Sequence, residues 1–413
     1  MSAAEHSGDQ LPLLKEPASG IPHLTDTAQG LSSVIRRLRE GTGPFSVDTE
    51  RASGIRYGQR AFLIQLKRDD AGTFLIDPEA LTDLSELNEV LQDTTWILHA
   101  ASQDLPCLHE AGLYPPKLFD TELAARLLGM PKVGLAALTE ELLGIRLAKE
   151  HSAADWSQRP LPKKMLAYAA LDVELLSQLK DILSQRLMEE NKLEIAEQEF
   201  EAARLAGPPE PRVDPWRRTS GAHALTQRRD LAILKALWES REDLAEKRDI
   251  APGRLLPDRA LLAAIQAKPA TVPQLLEVPG FRGRAAKRDA PRWLEAINAG
   301  KRAERLPPRF RRGNGSPPQP RMWAQRKPEA HARYQTARPR LQALADELNL
   351  PVENLLTPSV LRQISWDPPT PITPESIQER LAELGARPWQ IAHVWAPMTV
   401  AFLEPVTSEE ESY

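Results

Sequence analysis

Cysteine is almost absent from this chain of 413 residues, in which Cys107 is the single example. One thiol excludes an intrachain disulfide, and it also excludes the paired Cys or Cys/His spacings of a structural zinc site. A low cysteine content is typical of proteins from a reducing compartment. We therefore expect a cytoplasmic protein.

Long apolar runs are also absent, since none approaches the roughly 18 residues that a membrane-spanning helix requires. The N-terminal segment MSAAEHSGDQLPLLKEP carries acid and proline where a secretory signal would carry basic residues and then an apolar stretch. The sequence thus predicts a protein without a membrane segment. It also predicts a disordered N-terminus over residues 1–24 and a loose acidic tail over residues 405–413.

A strong net charge is missing as well, because the formal charge is −4. The charge is uneven, however: residues 281–340 contain 17 Lys and Arg against 4 Asp and Glu, a balance of +13 that leaves −17 for the remainder. A basic block beside an acidic remainder predicts a phosphate-binding region next to a carboxylate-rich one. A solvated linker would have the same composition, and charge alone favours neither interpretation.

Residues 43–100 contain four apolar stretches of strand length, PFSVDTE, AFLIQLK, TFLIDP and TWILHA. Turn residues separate them, and a helical segment lies near residues 81–92. Helical spacing of apolar residues then appears in four later segments, at 103–112, 120–129, 135–143 and 163–203. This order indicates an α/β domain at residues 25–205, with a mixed sheet flanked by helices.

Two breaks rich in proline and arginine, at residues 206–218 and 301–328, are predicted linkers. They bound two helical regions, 219–300 and 329–404. The segment LAEKRDIAPGRLLPDRALLAAI of the first region aligns without a gap on LADELNLPVENLLTPSVLRQIS of the second, at an offset of 100 residues. The alignment indicates two copies of one small all-α domain, although chance similarity of amphipathic helices is the alternative.

Acidic residues close the first strand, where Asp48 and Glu50 end PFSVDTE. Alternate residues of a strand project from one face, so these two carboxylates can share a hard divalent cation. The same spacing is common on solvent-facing strands, so the pair alone does not establish a metal site.

Three further candidates follow along the chain. Asp104 comes after the strand TWILHA at the start of a predicted helix, where a helix-capping aspartate is the alternative. Tyr168 and Asp172 are four residues apart in KKMLAYAALDVELL, so a helix would bring a phenol beside a carboxylate. Such a pair, taken alone, usually lies on the protein surface without a catalytic role.

This order of acids resembles the DEDD exonuclease superfamily in its tyrosine-bearing subclass, which has a ribonuclease H-like fold. The segments VDTE, FLIQL, FLIDP, LHAASQDL, FDTELAARLLG, ADWSQRPL and AYAALDVELL resemble ribonuclease D over most of residues 43–190. The two helical regions resemble the helicase-and-ribonuclease-D C-terminal (HRDC) domain, although the second lacks the glycine of LLEVPGFRGRAA. The segment RASGIRYGQRAF, residues 51–62, is more basic than the family pattern, which predicts altered contacts near the cleaved end of the substrate.

The resemblance implies a monomeric 3′–5′ exoribonuclease that releases 5′-mononucleotides and matures tRNA or other stable RNA. It implies that Asp48, Glu50, Asp104 and Asp172 hold two Mg²⁺ or Mn²⁺ ions, and that Tyr168 orients the attacking water. Two such ions, roughly 4 Å apart, generate the nucleophile and support the leaving 3′-oxygen. A phenol with an unperturbed pKa of about 10 is a poor base, so Tyr168 is assigned to positioning. A DNA 3′–5′ exonuclease and a catalytically silent RNA-binding protein are the alternatives.

Eight residues are candidates for substrate contacts. Four of them are near the acids in sequence or flank the catalytic helix: Thr49, His99, Arg159 and Lys163. A buried histidine bonded to the protein and solvated cations are the alternatives for the last three. The other four, Arg282, Arg284, Lys287 and Arg288, surround the glycine turn of VPGFRGRAAKR, where free backbone N–H groups and basic side chains would grip phosphates without reading bases.

Overall fold

A computed structural model describes residues 11–148, 154–208, 211–309 and 317–406. The strands of these residues are β1 (Leu13–Leu14), β2 (Leu24–Thr25), β3 (Thr42–Arg51), β4 (Ala61–Asp69), β5 (Gly72–Ile76), β6 (Trp96–Leu98), β7 (Leu118–Asp120) and β8 (Arg146–Leu147). Their helices in the N-terminal half are α1 (Ala28–Glu40), α2 (Ser85–Leu91), α3 (Leu105–Glu110), α4 (Thr121–Leu127), α5 (Leu135–Leu138), α6 (Lys163–Glu174), α7 (Leu176–Glu189) and α8 (Leu193–Leu205). A π-helical turn, Thr139–Leu143, follows α5.

The central sheet has six strands in the order β2-β5-β4-β3-β6-β7. Strands β3, β4 and β5 pair antiparallel, whereas β2, β6 and β7 join the sheet through parallel pairing. Helices cover both faces: α6 packs on the face that carries Leu63 and Leu75, and the opposite face, with Val47 and Ile64, contributes to the larger core beneath α1, α2 and α7. The mixed sheet flanked by helices that the sequence predicts is confirmed.

The N-terminal segment departs from the prediction. The sequence predicts disorder for residues 11–24, but Leu13–Leu14 pairs in parallel with Arg146–Leu147, and Leu24–Thr25 pairs with Leu75–Ile76. The partner strands come from distant parts of the chain, so local pattern does not reveal them. The prediction of disorder is therefore wrong for residues 11–24, and residues 1–10 lie outside the described part of the chain.

The described residues of the C-terminal half form helices joined by loops, and no strand occurs among them. The helices of the first region are α9 (Arg228–Arg248), α10 (Pro252–Leu255), α11 (Asp258–Ala267), α12 (Val272–Glu277), α13 (Arg284–Arg288) and α14 (Ala290–Arg302). The helices of the second region are α15 (Trp323–Arg326), α16 (Pro328–Glu347), α17 (Val352–Leu355), α18 (Pro358–Trp366), α19 (Pro374–Glu383) and α20 (Pro388–Leu403). Helices α9, α10 and α11 recur as α16, α17 and α18 at the offset of 100 residues, and Asp249 and Asn349 each have φ of +49° after the first long helix. The two regions thus share one local architecture.

Both predicted linkers are shorter than expected. Trp216 is buried in the core of the first helical region, and Trp323 is buried against Tyr334 and Trp366 of the second. A single large aromatic side chain in a Pro- and Arg-rich stretch has no periodicity, which is why the sequence did not assign it to a core. Residues 209–210 and 310–316 of these linkers, and residues 407–413 of the predicted tail, lie outside the described residues.

The second helical region docks on the catalytic half through a buried carboxylate. Glu199 of α8 accepts hydrogen bonds from Arg387 at 2.6 and 2.5 Å and from the indole of Trp389 at 2.7 Å. Lys192 adds a bond to the carbonyl of Asn349 at 3.1 Å. Within the described residues, no helix combines the length and the apolar character that crossing a bilayer requires.

Candidate active site

Strand β3 and helix α6 bring three of the predicted acids together. Asp48 and Glu50 alternate on β3 and therefore project from the face of the sheet that α6 covers. Asp172 lies on α6, and one carboxylate oxygen from each of the three residues lies within 4.8 Å of the others. Residues far apart in the sequence thus form one cluster of carboxylates.

Asp104 stands beside this cluster, at the end of β6 where the chain turns into α3. Its Oδ1 accepts a hydrogen bond of 2.6 Å from the hydroxyl of Thr49. The Thr49 hydroxyl is also 3.1 Å from Sγ of Cys107, whose thiol donates to the carbonyl of Asp104. Thr49 and Asp104 are both buried. The Thr49 hydroxyl is thus used inside the protein, where it fixes the orientation of Asp104. The substrate contact that the sequence predicts for Thr49 stays a prediction.

Burial raises the pKa of all four acids, and repulsion by neighbouring acids of the cluster adds to the effect for Asp48, Glu50 and Asp172. Burial raises the pKa of Glu50 to about 9, with Asp172 and Asp104 adding to the effect, and burial followed by Asp104 raises the pKa of Asp172 to about 8. Burial also raises the pKa of Asp104 to about 6 and that of Asp48 well above its usual range. Carboxylates held as close as those of Asp48, Glu50 and Asp172 are stabilised by a cation. The donor set consists of carboxylate oxygens, which suits a hard divalent ion.

Tyr168 lies one helical turn before Asp172 on α6, as predicted. Burial raises its pKa above the usual value, and the carboxylates of Asp172, Glu50 and Asp48 raise it further. Its ring packs against the buried indole of Trp156, with ring centroids 6.4 Å apart. The phenol is therefore protonated at neutral pH and can orient a ligand by hydrogen bonding.

Gln65 is a buried polar residue that the sequence analysis did not single out. It pairs with Asp48 across β3 and β4, so the two side chains share one face of the sheet. Its side chain is fully buried, and among the described residues both amide atoms lack a hydrogen-bond partner. An amide at this place can bind a ligand of the acidic cluster. A polar residue inside the apolar stretch FLIQL was the signal that could have drawn attention to it.

His99 and Asp120 shape the loop that precedes Asp104. Asp120 accepts backbone hydrogen bonds from residues 100, 101, 122 and 123, at 2.8–3.1 Å, and so joins the end of β6 to the start of α4. Nδ1 of His99 is 2.9 Å from the hydroxyl of Thr121, which itself donates to the carbonyl of Leu98. Burial lowers the pKa of His99 to about 4. His99 is therefore neutral and bonded to the protein through Nδ1.

Arg159 does not fit the predicted role in phosphate binding. Its Nε and Nη2 form a bidentate ion pair with the buried carboxylate of Asp77, at 2.6 and 2.7 Å. The remaining donors bond the carbonyls of Trp156, Gln158 and Phe62. All five N–H groups of the guanidinium are thus used within the protein. Arg159 anchors the segment before α6, and the prediction of a substrate contact is corrected on this geometry.

The other predicted substrate-binding cations lie on the surface. Lys163 is the exposed first residue of α6. Arg282, Arg284, Lys287 and Arg288 are exposed around the short helix α13, and Trp293 nearby is buried in the core. Their exposure is compatible with phosphate contacts, which stay a prediction.

A cavity of about 280 Å³ lies beside the acidic cluster and reaches it at Glu50. Its lining residues are Thr49, Glu50, Arg51, Ser53, Gly54, Ile55, Ala154 and Arg254. All but one belong to the catalytic half of the chain, whereas Arg254 belongs to the first helical region. This residue was not identified from the sequence, because nothing local relates α10 to the acids.

Three family models match the chain. Residues 22–188 match a 3′-5′ exonuclease domain, residues 230–297 match an HRDC domain, and residues 316–402 match a 3′ to 5′ exonuclease C-terminal domain. The second helical region, predicted to be HRDC-like, thus corresponds to a model of its own. An exonuclease domain of this type implies the use of a divalent metal.

Similar proteins extend over most of the chain. Ribonuclease D of Gluconacetobacter diazotrophicus is 34% identical over 309 residues, which cover 72% of this chain and 76% of the relative. Ribonuclease D of Zymomonas mobilis is 34% identical and covers 70% of this chain and 75% of the relative.

Two crystal structures resemble the fold. A protein from Bifidobacterium adolescentis matches 95% of this chain and all of its own, with a TM-score of 0.85 and 37% identity. RNase D of Escherichia coli, described as an exoribonuclease involved in structured RNA processing, matches 88% of this chain and 99% of its own, with a TM-score of 0.63 and 25% identity. From the acidic cluster, the family models and these relatives together, we conclude that the chain belongs to the ribonuclease D family of 3′–5′ exoribonucleases.

Proposed function

We propose that this chain hydrolyses RNA from the 3′ end with two divalent metal ions, Mg²⁺ or Mn²⁺, held by Asp48, Glu50, Asp104 and Asp172. The observation that supports the proposal most directly is the convergence of Asp48, Glu50 and Asp172 within 4.8 Å. Asp104 stands beside them, oriented by Thr49. The products are 5′-mononucleotides.

Two divalent ions held by these four carboxylates would acidify a water molecule and would offset the negative charge that develops at phosphorus and at the leaving 3′-oxygen. The four carboxylates would offer these ions oxygen ligands, which hard divalent cations prefer. Tyr168 keeps its proton and orients the attacking water by a hydrogen bond, because its pKa is raised rather than lowered. The amide of Gln65, on the same face as Asp48, is available to hold a further water or a carboxylate oxygen in place.

We infer that the substrates are the 3′ ends of tRNA precursors or other stable RNA, and that the protein acts in the cytoplasm as a monomer. RNase D of Escherichia coli carries out structured RNA processing, which supports this substrate class. A time course on a 3′-extended tRNA, with metal and with chelator, tests it. A matched DNA oligonucleotide in the same assay tests the alternative of a DNA exonuclease, which faster cleavage of DNA would support.

Carboxylate substitutions test the metal assignment. Asp48→Asn and Asp172→Asn should each abolish cleavage while leaving RNA binding largely intact. Asp181→Asn is the matched control, since Asp181 is an exposed residue of α7. Trimming of RNA at the normal rate by Asp172→Asn would rule out the two-metal assignment, and an inactive wild-type chain with Mn²⁺ would favour the silent RNA-binding alternative.

A further inference from the structure

The cavity beside the acids is built from two domains. Residues Glu50 and Arg51 of β3 lie on one side, and Arg254 of α10 lies on the other, although it is distant in sequence. Arg254 reaches this position because the first helical region is docked on residues 51–60. The basic segment that departs from the family pattern in the sequence is therefore the docking site.

A cluster of charges centred on Asp249 fixes this docking. The carboxylate of Asp249 accepts hydrogen bonds from Arg60 at 3.0 and 2.8 Å and from the backbone N–H of Tyr57 at 3.2 Å. Arg56 lies 3.7 Å away. Arg60 is held in turn by Glu79 of the catalytic half, at 2.9 and 3.1 Å. Bidentate arginine pairs of this kind fix both distance and orientation.

Two further bonds place α10 against the catalytic half. The N–H of Ala251 donates to the carbonyl of Ile55 at 2.9 Å. Nε of Arg254 donates to the carbonyl of Gly54, also at 2.9 Å. The ring of Tyr57 packs against the core of the first helical region. Polar and apolar contacts thus agree on one arrangement of the two domains.

The guanidinium of Arg254 still has donors to offer. Its Nε bond fixes the plane of the group, its side chain is exposed, and no residue that the structure describes bonds its Nη1 or Nη2. Arg51, the other cation of the cavity, uses Nη1 on the carbonyl of Gln103. A planar guanidinium with free Nη groups is suited to a phosphate oxygen pair, and such a contact carries no base preference.

We propose that Arg254 binds a backbone phosphate of the RNA strand where it enters the cavity next to Glu50, and that docking through Asp249 holds it there. The first helical region is then part of the substrate site rather than a separate binding module. This inference rests on the proposed function, since it takes RNA as the ligand. It also gives the basic segment a role, because Arg56 and Arg60 hold the domain that supplies the phosphate contact.

The first test compares Arg254→Gln with Arg259→Gln in the full chain. Arg259 is an exposed arginine of α11 in the same domain and is the matched control. On a single-stranded RNA oligonucleotide with Mn²⁺, Arg254→Gln should raise KM about ten-fold with kcat nearly unchanged, because one charge-assisted contact is lost. The slope of log affinity against log salt should become shallower by about one. Equal KM values for the two variants would overturn the proposal.

Binding without turnover separates this inference from the nuclease assignment. In the Asp172→Asn background, Arg254→Gln should weaken RNA affinity about ten-fold, and Arg254→Lys should recover part of the loss, because a point charge replaces a planar fork. Unchanged affinity would overturn the role of Arg254 even if the wild-type chain trims RNA normally. A wild-type chain that binds RNA through Arg254 but does not cleave it would instead contradict the proposed function alone.

The docking step has its own test, through Asp249→Ala and, from the other domain, Arg60→Gln. Each variant should reproduce the rise in KM, and adding Arg254→Gln to either should cause little further change, because the undocked Arg254 no longer reaches the cavity. If the KM increases of the single substitutions multiply in the double variant, Arg254 and Asp249 act independently. That result would overturn the proposal that docking holds Arg254 in place. Circular dichroism of each variant checks that the helical region stays folded.

Discussion

Replacing Glu50 with glutamine should stabilise the metal-free protein, and the gain should grow with pH. Burial, assisted by Asp172 and Asp104, raises the pKa of Glu50 from 4.5 in the unfolded chain to about 9 in the folded protein. Between these values the folded protein keeps a proton that the unfolded chain has lost. Rising pH therefore lowers the free energy of unfolding of the wild type, by about 1.4 kcal/mol per pH unit for this group. The amide in the Glu50→Gln variant does not titrate, so the variant escapes that loss.

The size of the effect follows from the width of this window. From pH 5 to pH 8 the stability gap between variant and wild type should widen by up to about 4 kcal/mol, which corresponds to a difference in thermal midpoint of about 8–16 °C for a domain of this size. The assay is thermal unfolding in EDTA at several pH values. With saturating Mn²⁺ the wild type should become the more stable of the two proteins, because it binds the ion more tightly than the variant and binding to the folded state raises its stability. A gap that does not change with pH, or a variant less stable than wild type at pH 8 in EDTA, would refute the assigned electrostatics.

Three further predictions concern other parts of the chain. Gln65→Leu should raise the free energy of unfolding of the metal-free protein by about 1–3 kcal/mol, because it removes a buried amide without a partner among the described residues. The same variant should bind Mn²⁺ more weakly in calorimetry. A less stable variant with unchanged metal affinity would count against this role. Asp120→Ala should destabilise the catalytic domain by about 3 kcal/mol or more in urea unfolding, since four backbone donors lose their acceptor. Asp120→Asn keeps one oxygen and should destabilise the domain less. Equal losses of stability in the two variants would contradict this reasoning. Replacing Arg282, Arg284, Lys287 and Arg288 together with glutamine should make the salt dependence of RNA binding shallower by up to about 3, and an unchanged slope would show that these cations are only solvated surface.

The sequence by itself was enough to predict the α/β fold of the catalytic half and the carboxylates proposed to hold the metal ions. Alternation along PFSVDTE put Asp48 and Glu50 on one face, and helical spacing put Tyr168 beside Asp172, because both periodicities are properties of the local backbone. The apolar stretches of the four central strands are long enough to be recognised without knowledge of their partners. The repeat of the helical regions was visible for the same reason, as a constant offset between two amphipathic patterns.

What only the tertiary structure decided depends on contacts between distant residues. The strands at residues 13–14 and 24–25 are too short to have a periodicity, and they exist because edges formed elsewhere in the chain pair with them. From the sequence, Arg159 is a candidate for a phosphate contact, but in the structure its guanidinium is paired with the carboxylate of Asp77. Arg254 lines the cavity only because the first helical region docks on the catalytic half. A few ion pairs and hydrogen bonds to the backbone, between segments far apart in sequence, fix this docking. Local sequence does not reveal such contacts, because the partner of each residue lies far away along the chain.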